Sequence, residues 1–386
     1  MFACLAGRVE GLAGLSPAAW RELLASSEAH QVQPLLAQRV LSAVLSSGAD
    51  VPDEIRTTLL AIERDTVERN MRRHRDFATA IRALAGKPVI VLKGMHLLSQ
   101  IYESLAARSM IDIDLLVRTG DLRSSAVALE SAGYSALQPY RISDEAKPFF
   151  MHHLPPFTMD GGTTIELHWH VAMPAPNSEG IDVAGMWERA VPARIAGVDV
   201  QVLSPEDLLL HLCIHATYGH RCQVSARASC DIAAVIQRTE IDWPRFVERA
   251  VRWRVATGTY IALRLTRELL ETPVPANVLA ALEPENFDES LLTAALREPA
   301  EDPPIGVANY RMKRGALRKI AFVKDRVFVP REVIADDYNL RRSSLRVYAW
   351  YAVRAKDLLK RYWRGVLRGH ESDDVRARIL RHLEAR

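Results

Sequence analysis

Val89 to Val117 reads VIVLKGMHLLSQIYESLAARSMIDIDLLV. The apolar run 89–92 predicts a strand that breaks at Lys93-Gly94. A helix follows on the spacing of Leu97, Leu98, Ile101, Tyr102 and Leu105, and 112–117 predicts a second strand. Residues i and i+2 of a strand share a face, so Asp112 and Asp114 point one way while Ile113, Leu115 and Val117 point the other. Two residues of ~3.3 Å rise set their Cα atoms roughly 6.6 Å apart. Carboxylates leaning together at that spacing repel unless a proton or a cation joins them. A hard divalent cation takes oxygen ligands, and Mg²⁺ combines one or two carboxylates with substrate phosphates. The alternative is an edge strand whose acids are solvated, but the near-continuous apolar run Ile113, Leu115, Leu116, Val117 is that of a central strand.

Gly94 lets the backbone turn tightly. The helix start behind it offers free N–H groups to phosphate oxygens, with the Lys93 ammonium beside them. A Lys-Gly pair alone carries little. Followed eighteen residues later by D-x-D on a strand, it resembles the signature of the polymerase-beta-like nucleotidyltransferases. Lys93-Gly94, the Tyr102 region, Arg108 and Asp112-Ile113-Asp114-Leu115-Leu116-Val117 narrow the resemblance to a bacterial nucleotidyltransferase family whose core reads LKG, LY, then R-x-x-x-DIDLLV.

That resemblance implies a third acid on a later strand ending in Leu-His-Trp, and residues 163–171, TTIELHWHV, supply it as Glu166. Alternation puts Glu166, His168 and His170 on one face and Ile165, Leu167, Trp169 and Val171 on the other, so three carboxylates can converge. His152-His153-Leu154-Pro155-Pro156 and the turn Asp160-Gly161-Gly162 resemble the family's approach to that strand. Two departures stand out. Residues 103–107 lack the expected proline and glycine, which predicts a more rigid, helical connection, and Lys93-Gly94 replaces the Gly-Ser pair of the wider superfamily.

The implied reaction moves a nucleoside monophosphate from an NTP, ATP among them, to an acceptor and releases pyrophosphate. Asp112 and Asp114 would hold two Mg²⁺ ions (Mn²⁺ is the alternative) roughly 3.5–4 Å apart. Glu166 would complete the set and take the acceptor proton. Lys93 and Arg108 would neutralise phosphate charge, with the Gly94 turn adding backbone donors. His168 either orients a carboxylate, contacts the base or is structural; Trp169 belongs to the core.

The chain has 386 residues, 48% apolar and 25% charged, enough for two or three domains with a sizeable core. No run approaches ~18 uninterrupted apolar residues and no basic-then-apolar leader opens the chain, which predicts a cytoplasmic protein without integral membrane segments. Four cysteines over this length predict free thiols. Cys213, Cys222 and Cys230 with His211, His215 and His220 lack zinc-site spacing and are expected as structural thiols and core histidines. The fold class expected is α+β, a small mixed-sheet nucleotidyltransferase core flanked by helical regions. The expected division is a helical region at 1–86, the catalytic core at 87–203, a helical domain at 204–282, a linker at 283–310 and a basic helical region at 311–386. Within it, Pro52 starts a long helix to Leu84, Gly197 centres a strand pair at 193–203, and Ser204-Pro205-Glu206-Asp207 caps a helix.

The formal net charge of +3 is uneven: residues 311–386 carry 21 Lys or Arg against 9 Asp or Glu, the remainder 29 against 38. Residues 345–367 interleave Tyr348, Trp350, Tyr351, Tyr362 and Trp363 with basic residues. Their helical spacing predicts a helix docked by its aromatics on the catalytic domain. Binding to RNA, a membrane surface or an acidic peptide is the alternative. The expected partners are thus an NTP and an acceptor, with a small molecule, peptide or protein favoured over RNA. Two other readings remain: a catalytically retired nucleotide-binding or regulatory module, which loss of an acid would signal, and an RNA-modifying enzyme using the basic tail. A kinase reading lacks both a G-x-x-x-x-G-K-[ST] loop and an H-R-D motif.

Overall fold

The computed structural model describes residues 1–138, 152–172, 180–219 and 224–296, apart from residues 13 and 103, then scattered positions between 320 and 341 and the segment 344–367. Helices α1 (Phe2–Leu5), α2 (Pro17–Ala29), α3 (Gln33–Ser47) and α4 (Asp53–Ala83) come first. Ser16 caps α2 by accepting from the Ala19 N–H, an interaction of ~1 kcal/mol. Pro52 stands just before α4, as expected, with Asp53 and Glu54 in its first turn against the positive helix end.

The sheet begins with β1 (Val89–Val91) and β2 (Asp112–Val117), separated by the short helix α5 (Lys93–His96) and a π-helical turn at Leu97–Ile101. Helix α6 (Leu122–Ser131) leads to β3 (Ser135–Ala136), β4 (Phe157–Thr158) and β5 (Thr164–His168). Helix α7 (Val183–Arg189) precedes the hairpin of β6 (Val191–Ile195) and β7 (Val198–Val202). Ala196 and Gly197 turn that hairpin with φ of 49° and 79°, the left-handed pair a two-residue hairpin loop demands. The seven strands run β3-β4-β5-β2-β1-β7-β6. β2 pairs antiparallel with β1 and parallel with β5, and β1 pairs parallel with β7. The sheet is therefore mixed, and the fold is α+β.

Both faces of its centre are covered. Val89, Val91, Ile113, Leu115 and Val117 pack with Phe77 and Ala80 of α4, with Leu84 just beyond it, and with Leu122, Ala126 and Leu129 of α6. Ile90, Leu92 and Leu116 pack on the other side with the helices that follow β7. Those are α8 (Pro205–Ile214), running into a π-helical turn at His215–Gly219, then α9 (Ala226–Arg238), α10 (Trp243–Arg252), α11 (Ala256–Leu270) and α12 (Ala276–Leu282). Alternation along β2 thus aims Asp112 and Asp114 at this second set of helices. The first helices form a third core, with Trp20, Leu36 and Leu59, and share it with Ala226, Cys230 and Ala233 of α9.

Three expectations give way to different structure. Ser290–Leu296, within the segment read as a linker, is helix α13, and Leu291, Leu292 and Ala295 join the large core. Its acids and prolines masked a short apolar stripe. Residues 104–107 form a turn closed by Ala107 N–H to Ser104 O at 3.1 Å rather than a helix. Val171 packs in the core opposite Trp169, because β5 ends at His168 and alternation stops there. In the basic tail, α14 (Val347–Leu367) packs Trp350 and Tyr351 on Val329, Ile334 and Ala335 of its own region, and Tyr348 is exposed. Tyr362 and Trp363 lie outside the described side chains. No helix among the described residues is long and apolar enough to cross a membrane.

The Ser204 cap forms as expected, its hydroxyl accepting from Asp207 N. Asp207 itself is fully buried and takes Arg189 Nε at 2.9 Å and Arg249 Nη1 at 3.0 Å. It joins α7 to α10 through the start of α8. Removing one partner of a buried ion network strands the others. Asp207→Ala is therefore expected to lower unfolding free energy by ~3–5 kcal/mol in urea denaturation; a loss below ~1 kcal/mol would show that both guanidiniums find water instead.

Candidate active site

The parallel register of β2 and β5 sets Asp114 directly beside Glu166, and Asp112 beside Thr164. His168, two residues beyond Glu166, closes the group. Its Nε2 lies 2.9 Å from Asp114 Oδ1 and 3.2 Å from Glu166 Oε2. Ligand atoms of Asp114, Glu166 and His168 all fall within 4.8 Å of one another. Asp112 shares their face one ladder step away, outside that cluster. Two of the three expected carboxylates are thus side by side, with a histidine as the third member.

Lys93 reaches the same carboxylate from the end of β1, its Nζ 3.1 Å from Asp114 Oδ1. Its backbone makes this possible: Leu92 N–H still bonds Asp114 O at 3.0 Å, and Lys93 then turns with φ of 28°. A lysine in that sparsely populated region costs of order 1 kcal/mol, a kind of strain that concentrates at functional sites. Gly94 serves differently from the sequence reading. Its φ is not left-handed; instead, a Cβ there would stand 3.0 Å from Met110 Cγ and 3.5 Å from Arg108 Nη1. Clearance rather than turn geometry favours the glycine, since a side chain there would press on Met110.

Burial alone would raise the pKa of Asp114, which is 1% exposed, but the Lys93 charge and the His168 hydrogen bond outweigh it and hold the carboxyl well below its usual range. Asp112 goes the other way, raised by burial and by the negative charge of Asp114, with Lys93 opposing. Burial pulls His168 down, yet its bonds to Asp114 and Glu166 leave its pKa raised. The site therefore drives its two aspartates apart, Asp114 lowered and Asp112 raised.

Arg108 is turned elsewhere. Its Nε and Nη2 each donate to Asp231 at 2.8 Å, and Tyr102 Oη donates to the same carboxylate at 2.8 Å. Asp231 lies on α9, 123 residues from Arg108, and nothing in its own neighbourhood of sequence signals the pairing. His152 and His153 were also missed as neighbours of the acids. Main-chain bonds from Leu154 and Trp169 zip this segment onto β5, bringing both rings within about 5 Å of His168 and His153 Nε2 to 3.7 Å from Glu166. From α8, His211 faces Lys93, Asp114, His168 and His96. It is 1% exposed and neither ring nitrogen has a partner among the described residues. Cys213 and Cys230 are buried free thiols whose pKa values burial pushes up, so both are inert. Cys222 and His220 lie outside the described residues.

The donor set of two carboxylates and one imidazole, with Asp112 adjacent, fits a divalent cation bound through oxygen and nitrogen. A model of an uncharacterised nucleotidyltransferase family matches residues 16–271 of the chain. No curated protein and no solved structure matches it. The match spans well over half the sequence, including β1, β2, β5 and α9, and the chain belongs to this family of nucleotidyltransferases.

Burial lowers His211 from 6.5 to about 3 and His96 from 6.5 to about 4. A depressed folded pKa means the unfolded chain binds protons first, so stability is full above pH 6.5 and falls as pH drops towards the folded values. Each such group contributes ~1.4 kcal/mol per pH unit, on the order of 2 kcal/mol between pH 6.5 and 5. Urea unfolding at the two pH values is expected to show that loss, and His211→Leu to remove its own share; an unchanged acid slope in the variant would place His211 in solvent contact.

Proposed function

We propose that this nucleotidyltransferase carries nucleoside monophosphate from an NTP to an acceptor, a small molecule, peptide or protein rather than RNA, with release of pyrophosphate. The observation that carries the reading is the β2–β5 register, which seats Glu166 beside Asp114 and next to Asp112, under the Lys93-Gly94 turn. Intact acids argue against a retired module.

Asp112, Asp114 and Glu166 are the residues that would hold divalent cations, Mg²⁺ or Mn²⁺, with His168 beside them. Such ions, when bound, neutralise phosphate charge and lower the pKa of an attacking hydroxyl. The chain's own groups do the rest. Lys93 and His168 keep Asp114 ionised at 3.1 and 2.9 Å, so the carboxylate is an acceptor before any substrate arrives. Glu166, partly open to solvent, is the group placed to take the acceptor's proton. His168 bridges the two carboxylates and fixes their rotamers, a positioning role. Lys93 sits at the turn where the phosphates meet backbone N–H groups, and its ammonium offsets their charge. The Arg108–Asp231 pair holds the start of β2 against α9, and so steadies Asp112 and Asp114.

Each labelled NTP, supplied with Mg²⁺ and candidate acceptors or lysate, is expected to leave label on one acceptor fraction. The Asp112→Asn/Asp114→Asn double variant is expected to reduce transfer by at least ~10³-fold, since charge stabilisation of this kind is worth several kcal/mol. Transfer that survives in the double variant sinks the carboxylate assignment. A wild type that binds no NTP sinks the reaction.

A further inference from the structure

Among the described residues, four cations lie within electrostatic reach of Asp112: Lys93, Arg73, Arg108 and Arg227. Three of them are occupied. Lys93 is on Asp114 and Arg108 is bidentate on Asp231. Arg227 donates to Gln31 Oε1 at 2.8 Å and to Ser109 O at 3.0 Å. Arg73 has no hydrogen-bond or ion-pair partner among the described residues, and its Nε is buried and unsatisfied.

The placement of Arg73 follows from α4. One turn before it, Asn70 Nδ2 donates to Leu105 O at 2.7 Å and Arg108 O at 2.8 Å. One turn after it, Asp76 Oδ2 accepts from Thr163 N at 3.0 Å and Thr163 Oγ1 at 2.6 Å. Residues three apart on a helix share a face. Arg73 is therefore held between the loop that leads into β2 and the residue that leads into β5, at the end of the sheet where Asp112 pairs with Thr164. The longitudinal position agrees. From Ala83 back to Arg73 is ~15 Å of helix, and from Val89 to Lys93 is ~13 Å of extended chain, so both cations stand at one level. Arg69 and Arg72, one turn away and adjacent, are exposed and likewise unpaired among the described residues. Their like charges add to the cost of keeping Arg73 charged where it is half-buried.

We infer that Arg73, flanked by Arg69 and Arg72, is the grip for the outer phosphates of the NTP, the part that leaves as pyrophosphate. A planar guanidinium with an unused buried N–H is matched by a phosphate oxygen pair, and three crowded positive charges call for a polyanion. The assignment rests on the nucleotidyltransferase reading and gives the phosphate-neutralising role expected of Arg108 to a residue 35 positions earlier.

Calorimetric titration with inorganic pyrophosphate, each NTP and each NMP, all with Mg²⁺, tests it. Arg73→Gln is expected to weaken pyrophosphate and NTP binding by roughly 10- to 100-fold, raise the NTP KM to match and leave NMP binding unchanged. Arg73→Lys should recover part of the loss, because charge is kept and the planar fork is not; near-UV circular dichroism checks that both variants keep the native packing. Arg69→Gln/Arg72→Gln should reduce the salt dependence of pyrophosphate binding. If the wild type binds NTP and Arg73→Gln binds pyrophosphate equally well, this inference alone falls. If only the acceptor KM rises, the arginines serve an anionic acceptor and the inference is overturned. If the wild type binds no NTP, the reaction falls with it.

Discussion

A carboxylate buried to 1% exposure is the constraint around which the rest of the molecule is arranged. Moving an ion of that size out of water costs several kcal/mol even after relaxation, and the cost is recovered only when opposite charge and hydrogen bonds meet it at close range. Asp114 is met by Lys93 from the end of β1 and by His168 from β5, two elements that flank β2 in the sheet. The strand order is therefore an electrostatic requirement as much as a packing one. A sheet that placed another strand between β2 and β5 would leave His168 too far away. A β1 that ended one residue later would point the Lys93 ammonium to the opposite face.

The same reasoning explains why the site is built with more than the acids it needs. Asp112 beside a firmly ionised Asp114 is raised in pKa, and a raised carboxyl beside a lowered one is the pattern of groups with separate tasks. His152, His153 and His168 form a contiguous group of imidazoles over Glu166. Burial holds His152 down to about 2 and lowers His153 as well, so those two stay neutral while His168 alone is favoured in its charged form. Among these imidazoles, positive charge is thus favoured only on the one whose nitrogen touches both carboxylates.

How much of this was legible in the sequence depended on the distance over which each signal acts. The strands at β1, β2 and β5 could be read because period-2 alternation is local, and the acids on them because alternation also assigns a face. Pro52, Ser204 and Gly197 marked their helix starts and hairpin because capping and turn chemistry involve residues within three or four positions. The motif around Arg108 says nothing about Asp231, 123 residues on. Arg73 carries no local mark on a helix so rich in both arginines and acids. Only the partners of Asn70 and Asp76, 35 and 87 residues away, reveal that one stripe of α4 lies against the entries to β2 and β5. The α13 stripe escaped notice for a different reason, since two leucines and an alanine within an acidic, proline-bearing segment fall below any periodic signal.

Helix α4 deserves its 31 residues on these grounds. Loops that enter catalytic strands are the parts of a fold with the most conformational freedom, and freedom there spreads the carboxylates over many separations. A helix has almost none: successive turns are ~5.4 Å apart. By fixing residues 105 and 108 with Asn70 and residue 163 with Asp76, α4 sets the entries to β2 and β5 at one spacing. Phe77, Ala80 and Leu84 anchor the same helix beneath the sheet. The β2–β5 ladder sets the separation between Asp112 and Thr164, and the helix fixes where the chain enters that ladder. A single helix face thus joins the hydrophobic core to the charged end of the sheet, which is why a polar stripe on α4 can position acids that it does not touch.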